Sequence, residues 1–412
     1  MKRLIKIKAV LLVVMSQLAA YSEISWKPFA QREALMPVME QADGILITKG
    51  TGGERVNGSW RKEMTLQSKD HYYFHAEYLA HNIQNEKRSV LVEIDWKDEQ
   101  NNRVATPDYP PTLEMKQSDW NVIEGVLPVP DGATHATVDL ILRWAAQGEV
   151  KWRNIRFEPC SPPKPREVTM ATVNFRPQTS STTEKNLELF AEFIHQAGKQ
   201  KADIVCLGEG ITVVSTGKEY TDVAEPIPGP TTTFLGSLAK EHGMYIVAGI
   251  YEQAGKTVYN TSVLVGRTGE LIGKYRKVCL PREEINGGIT PGGEYPVFDL
   301  DFGRVGMMIC WDVHFPEVAR GLAKNGAEVI FMPIWGGNEL LFPARAIENQ
   351  VYLVTSGYDA KTGIWNREGQ CAALATENGT LAISNVNLEE RTLFDWLGDF
   401  KSRIFREGPA VE

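Results

Sequence analysis

Cysteine is scarce in this chain: 412 residues hold five. The number is odd, and the spacings of Cys160, Cys206, Cys279, Cys310 and Cys371 match no compact framework, so no disulfide scaffold is expected. Cys206, Cys279 and Cys371 lie in apolar strand-like runs, where cysteine behaves as a small hydrophobe; Cys160 adjoins a proline-rich stretch. Basic runs are missing beyond the N-terminus. The net charge of -8 comes from interspersed acids and bases, which argues against a nucleic-acid partner. Long apolar runs are missing too. The one near the start, Ala9 to Met15, is far short of the ~20 residues of a spanning helix. No cysteine follows it closely, so neither a stable membrane span nor a lipoprotein anchor is expected. Metal-ligand spacing is also lacking, since His71 and His75 on a strand share a face without ligand geometry. No metal is expected at that pair.

What is present begins with Lys2, Arg3, Lys6 and Lys8, followed by the apolar stretch and then small residues including Ala20 and Ser22. This is the layout of a secretory signal peptide over residues 1–22, cleaved after Ser22. It predicts an exported protein, periplasmic or secreted. At 412 residues the chain exceeds one ordinary core, so two domains are expected. The boundary falls at SPPKPR, Ser161 to Arg166, a stiff proline-rich linker over 161–167.

Residues 23–160 are rich in β signals. Segments His71–Ala80, Ser89–Trp96, Trp120–Val126, Thr137–Trp144 and Glu149–Phe157 alternate with turn residues, and no amphipathic helix stands out. That pattern predicts an antiparallel β-sandwich. It weakly resembles jelly-roll domains of the carbohydrate-binding type, chiefly through the closing GEVKWRNIRFEP strand, Gly148 to Pro159. Exposed aromatic rings would stack on a glycan; the simpler expectation makes Trp60, Trp96, Trp120, Trp144 and Trp152 core residues.

From residue 168 to 412 strands alternate with helices, an α/β pattern with mixed sheets. Strands are expected at Val168–Phe175, Asp203–Leu207, Met244–Ile250, Thr257–Val265, Glu270–Val278, Arg304–Ile309, Ala327–Met332, Val351–Ser356, Gln370–Ala375 and Leu381–Val386. Helices are expected at Glu184–Gly198, Thr232–His242, Pro316–Lys324 and Leu341–Asn349.

The stretch GMMICWDVHFPE, Gly306 to Glu317, ends a buried apolar run on Cys310 and starts a helix at a proline soon after. A thiol at such a junction is a candidate nucleophile. Half-ionisation at neutral pH needs a shift of roughly 1.5 units, about 2 kcal/mol, whereas a helix N-terminus supplies about 0.3–1 kcal/mol. A working Cys310 therefore needs a base and a cation. Glu209, after the buried strand ADIVCLGEG, places a carboxylate where a sheet edge meets a cleft, a setting for general-base work. Lys277, in GKYRKVCLP, ends another strand and can supply the cation.

Glu209, Lys277 and Cys310, in this chain order and with TPGGEYPVFD, FGRVGMMICWD, FPEVAR and ARAIENQVY around them, resemble the nitrilase or carbon-nitrogen hydrolase superfamily. The likeness covers Val168 to about Pro409. It implies a four-layer α-β-β-α sandwich, no cofactor, association into homo-oligomers, and hydrolysis of a small amide or N-carbamoyl substrate. In the mechanism it implies, Glu209 is base and then acid, Cys310 the nucleophile, and Lys277 with the backbone N–H of Trp311 the oxyanion donors. A second glutamate falls on Glu284, with Glu283 as the alternative. Tyr275 is expected to be structural, Arg345, Glu348 and Asn349 to anchor a helix, and His314 to hydrogen-bond within its loop. Pocket candidates in PIWGGNELLF are Trp335, Asn338 and Glu339, the last either meeting a substrate cation or favouring a helix N-terminus. The motif surround is nearest the N-carbamoylputrescine amidase and ω-amidase branches. An alternative is a glycan-binding protein with an idle hydrolase scaffold. Acyl transfer by the same triad belongs to enzymes with a bundle of membrane spans, which this chain lacks.

Overall fold

A computed structural model of the chain describes residues 25–406 except 54, 114–118, 179–181, 395–397 and 405. The expected signal peptide over 1–22 lies outside the described residues. The chain divides into two compact units, one running to Pro163 and resuming at Leu393, the other spanning Lys164–Thr392. The second domain expected over 168–412 is therefore shortened at its C-terminal end. The final stretch groups with the first unit through single-residue contacts, such as the Arg406 guanidinium 4.0 Å from the Tyr109 ring. Contacts of that kind leave no periodic signature.

The first unit is an antiparallel sandwich. One sheet pairs Lys27–Ala30, Asn57–Thr65, His135–Arg143 and Val90–Lys97 in that order. The other has Val38–Ala42, Ile45–Lys49, Glu149–Cys160, His71–His81, Asn121–Pro128 and Thr112–Leu113. Alternate residues point inward, as a strand's two-residue period requires: Phe74, Ala76 and Tyr78 from one sheet meet Val138, Leu140 and Leu142 from the other. Trp60, Trp96 and Trp152 join this core. Trp120 is half-buried, and Trp144, also expected in the core, is 37% exposed. The strand expected through Trp144 stops at Arg143, and Trp144 turns out of the sheet with φ of +59°.

The second unit holds two six-stranded mixed sheets. The first contains β1 (Glu167–Asn174), β2 (Ile204–Cys206), β3 (Tyr245–Ala254), β4 (Thr257–Val265) and β5 (Leu271–Arg276), with helices α1 (Thr183–Lys199) and α2 (Pro230–His242) between its strands. After the short helix α3 (Arg282–Asn286), β6 (Val297–Asp299), β7 (Arg304–Met307), β8 (Val329–Pro333), β9 (Tyr352–Ser356), β10 (Thr362–Trp365) and β11 (Cys371–Ala375) form the second sheet. Its helices are α4 (Pro316–Lys324) and α5 (Leu341–Asn349). The last strand, β12 (Thr380–Asn387), returns to the first sheet and pairs antiparallel with β1.

Alternation along the buried strands separates the layers. Val168, Met170, Ile204, Cys206 and Val247 share a core with Val305, Met307, Phe331 and Leu353 of the second sheet. The intervening Ala171, Val173, Val205, Ile246 and Ala248 pack instead on Leu187, Phe190, Ile194 and Leu235 of α1 and α2. Helices α4 and α5 contribute Val318, Leu322, Phe342 and Ala346 on the far side. The result is a four-layer α-β-β-α sandwich. Two hydroxyl bonds cross between the sheets: Thr172 donates to the Thr355 carbonyl at 2.6 Å and Ser356 to the Val173 carbonyl at 2.7 Å. All five cysteines are free thiols, and Cys371, expected to be buried, is exposed on edge strand β11.

Candidate active site

Strands β2, β3 and β5 run in one direction, since β2 and β3 pair in parallel and β4 reverses between β3 and β5. The residues just beyond β2 and β5 therefore emerge at the same edge of the sheet. Glu209 is delivered there by a segment that keeps pairing beside β3: the Leu207 N–H donates to the Val247 carbonyl (2.8 Å) and the Ile211 N–H to that of Gly249 (3.0 Å). Gly249 is glycine for a steric reason, because a Cβ would lie 2.7 Å from the Glu209 Cα. The Tyr358 hydroxyl holds the same turn by donating to the Glu209 carbonyl at 2.8 Å.

Lys277 follows β5, and its N–H donates to the carbonyl of Asn260 on β4 at 2.9 Å. Its Nζ donates to Glu209 Oε1 at 2.8 Å and to Glu284 Oε1 at 3.0 Å. Asn260 Nδ2 bridges the same two carboxylates, 2.7 Å from Glu209 and 2.5 Å from Glu284. Exposures of 2% for Glu209, 1% for Lys277, 3% for Glu284 and 0% for Asn260 make this cluster dry. Ion pairing is much stronger there than in water. Burial disfavours the Lys277 ammonium, but Glu209, Cys310 and Glu284 outweigh it and hold its pKa above the ordinary value. Burial, with help from Glu209, pushes the Glu284 carboxyl up against the pull of Lys277. Of the two candidates for the second glutamate, Glu284 on α3 reaches the cluster, while Glu283 is exposed.

The chain leaves β7 at Met307, two residues earlier than the expected strand, and enters a tight 3-10 turn at Cys310–His314. Cys310 sits at φ of +44°, a conformation that costs a residue other than glycine about 1–3 kcal/mol. Asp312 holds this turn. Its Oδ2 accepts from the Ile309 N–H (2.9 Å) and the Tyr275 hydroxyl (2.8 Å), and its Oδ1 from the Cys279 N–H (2.8 Å). One carboxylate thereby ties the residue before the thiol to the strand bearing Lys277. Tyr275 is structural in this sense.

Residues Trp335 and Gly336, just after β8, bring thiol and carboxylate to the same place. The Trp335 N–H donates to Glu209 Oε2 at 2.8 Å, and the Cys310 thiol donates to the Gly336 carbonyl at 3.4 Å. The thiol is pushed up to about 12 by burial and by Glu209, with Lys277 opposing. Burial and Glu209 thus outweigh the cation and favour the thiol over the thiolate, contrary to the shift contemplated from the sequence.

The remaining candidates separate. Trp335 packs edge-on against Tyr358 and borders an apolar cluster that includes Val213, Tyr251 and Tyr220. Trp311 opens the 3-10 turn, where backbone N–H groups lack partners within the turn. Asn338 is exposed and accepts from the Leu340 N–H at 3.1 Å, so it shapes its own loop. Glu339 accepts from the Lys361 N–H at 2.8 Å and pairs with the Lys361 ammonium at 3.1 Å, which neutralises the charge expected to meet a substrate cation. His314, expected as a hydrogen bonder, instead packs its ring 4.3 Å from that of Trp311, and its buried Nδ1 has no hydrogen-bond partner among the described residues. Arg345 donates to the Val313 carbonyl at 2.9 Å and to Glu348 at 2.8 Å, anchoring α5 to the Cys310–His314 turn. Asn260, Asp312 and Tyr358 escaped the sequence reading. A signal existed for Asn260, a carboxamide inside the otherwise strand-like TVYNTSVLV run.

Tyr275→Phe removes a hydrogen bond to a charged group, and a loss of about 1.5–3 kcal/mol of stability is expected. Burial holds Asp312 up to about 6. A carboxyl raised in the folded state contributes most stability when protonated and loses it as pH rises from the unfolded value, ~3.9, to the folded one. Without the tyrosine the folded value climbs further, so the gap between variant and wild type should widen between pH 5 and pH 8 in urea unfolding. An equal gap at both would refute the clamp.

Comparison with known proteins agrees with this architecture. The Carbon-nitrogen hydrolase family matches residues 169–394. The chain is 42% identical over 198 residues to a nitrilase of Pyrococcus abyssi, covering 46% of this chain and 74% of that one. It is 36% identical over 246 residues to omega-amidase NIT2 of Homo sapiens, covering 52% and 87%. Among solved structures, Saccharomyces cerevisiae Nit3, a member of branch 10 of the nitrilase superfamily, superposes with a TM-score of 0.50 at 26% identity, covering 54% of this chain and 90% of its own. The match spans more than half of the chain and nearly the whole second unit: this protein belongs to the carbon-nitrogen hydrolase family.

Proposed function

We propose that the protein is an exported thiol amidohydrolase that cleaves a linear amide or an N-carbamoyl compound through a thioester on Cys310. The observation that carries this reading is the placement of Glu209 and Cys310 on adjoining backbone groups of Trp335 and Gly336, with the Lys277 ammonium bonded to Glu209. Glu209 takes the thiol proton while the sulfur attacks the carbonyl carbon, giving a tetrahedral oxyanion. Lys277 and the Trp311 N–H stabilise that oxygen, each donor contributing roughly 3–4 kcal/mol. Glu209 passes its proton to the leaving amine as the C–N bond breaks. It then deprotonates a water that attacks the thioester and returns that proton to sulfur, releasing the acid. Glu284 and Asn260 position Lys277 and Glu209.

Trp335, packed against an apolar cluster that includes Tyr251 and Tyr220, favours a slender acyl group, and Glu339 is paired with Lys361. The test is ammonia release from a panel of linear amides, ureido acids and nitriles by the purified protein. Turnover of an amide or ureido acid that disappears in Cys310→Ala is expected. Turnover of nitriles alone, or equal rates with and without the thiol, would overturn the proposal. Export is checked separately by the N-terminal residue of the mature protein, expected to be Glu23.

A further inference from the structure

At one end of the β-sandwich a cleft of about 290 Å³ is lined by Arg55, Arg88, Asn82, Gln84, Asn85 and Gln147, with Trp144 forming part of its wall. None of the lining residues among those described is acidic. Arg88 is the informative one. Its Nε and Nη1 are buried and have no hydrogen-bond partner among the described residues. A buried guanidinium donor without an acceptor is costly, and native proteins leave such groups rarely and for a reason.

Trp144 supplies a second observation. It is 37% exposed and sits at φ of +59°, a region a bulky aromatic residue avoids and keeps chiefly where function requires it. The guanidinium of Arg143 lies 4.1 Å and that of Arg88 4.8 Å from its ring centroid, so the ring orients cations beside the cleft. The carboxamides carry both donors and acceptors, which suits hydroxyl groups. Asn85 spends one acceptor on the Arg88 N–H (3.3 Å) and Gln147 one donor on the Gly52 carbonyl (3.2 Å), and each keeps further capacity.

We infer that this cleft is a binding site for an acidic saccharide, with the sugar carboxylate on Arg88, ring hydroxyls on the carboxamides and the exposed surface of the Trp144 ring against the sugar's apolar face. The exposed aromatic ring of Trp144 beside the carboxamides favours a sugar over an acidic peptide, since it offers an apolar surface to a sugar's C–H face.

The test titrates the full mature protein calorimetrically with trigalacturonate, a glucuronate-containing tetrasaccharide and N-acetylmuramic acid, each against its methyl ester, with sodium sulfate as competitor. Saturable binding of at least one acid is expected, weakened about tenfold or more by esterification and by Arg88→Gln, as for loss of a charge-assisted hydrogen bond. Trp144→Gly should also weaken binding while its backbone relaxes, leaving the melting temperature unchanged or higher. Amide turnover at Cys310 should be unaffected in both variants, and a far-UV circular-dichroism spectrum with a thermal melt reports that the sandwich of each is folded. Failure of all three acids, equal binding of the esters, equal binding by both variants, or displacement by sulfate at equal concentration would each overturn the assignment.

Discussion

Cys310→Ala is expected to lose ammonia release by roughly a million-fold in kcat, the scale on which a covalent hydrolase depends on its nucleophile. Folding should survive, because the side chain makes only weak sulfur contacts with the backbone of Trp335 and Gly336. Steady-state kinetics with a circular-dichroism melt separate the two effects. A residual rate within a hundred-fold of wild type would remove Cys310 from the mechanism. The wild-type thiol carries its own check. Burial and Glu209 hold it up to about 12, so alkylation by iodoacetamide in the absence of substrate should be slow at pH 7 and accelerate steadily with pH. A plateau already reached at pH 7 would mean a resting thiolate and a different role for Glu209.

Lys277→Met should damage both stability and activity. The ammonium is the counter-charge described for two buried carboxylates, 2.8 Å from Glu209 and 3.0 Å from Glu284. Removing one partner of a buried ion pair costs about 3–5 kcal/mol, because the charge left behind is uncompensated. With two carboxylates left facing each other, one must take up a proton, and the folded state then binds that proton more tightly than the unfolded chain does. Its stability contribution is therefore largest in acid and declines as pH rises through the folded value. The variant should recover part of its loss at pH 5 relative to pH 8 in urea unfolding. Activity should fall by about a thousand-fold or more from the missing oxyanion donor. Lys277→Arg should rescue little, since a planar fork cannot replace a compact ammonium between two carboxylates. A loss below about 1 kcal/mol that is equal at both pH values would contradict the buried ion-pair account.

Much of the second unit is legible in the sequence because its buried strands are unbroken apolar runs and its helices carry one apolar face. Helices α4 and α5 fall where a proline start and an apolar face put them. Glu209, Lys277 and Cys310 are legible because each polar residue interrupts the end of an apolar run. Asn260 is harder, since its partner Glu209 lies 51 residues away and nothing local distinguishes it from a strand residue with one polar face. Asp312 reads as an ordinary turn acid until the fold brings Tyr275 and Cys279 against it. In the sandwich, strand Asn57–Thr65 was missed because NGSWRKEMT opens with turn residues and carries charge, although it occupies the centre of its sheet. Trp144 was misplaced for the opposite reason. An apolar, alternating run led into it, and only the backbone turn at that residue moves the ring outward.

The left-handed backbone at Cys310 separates the cost of holding a side chain there from the chemistry of its sulfur. Glycine occupies that conformation without strain, whereas alanine keeps the β-carbon that makes it costly. That difference makes Cys310→Gly a comparator for Cys310→Ala: equally silent toward substrate, but the more heat-resistant of the two.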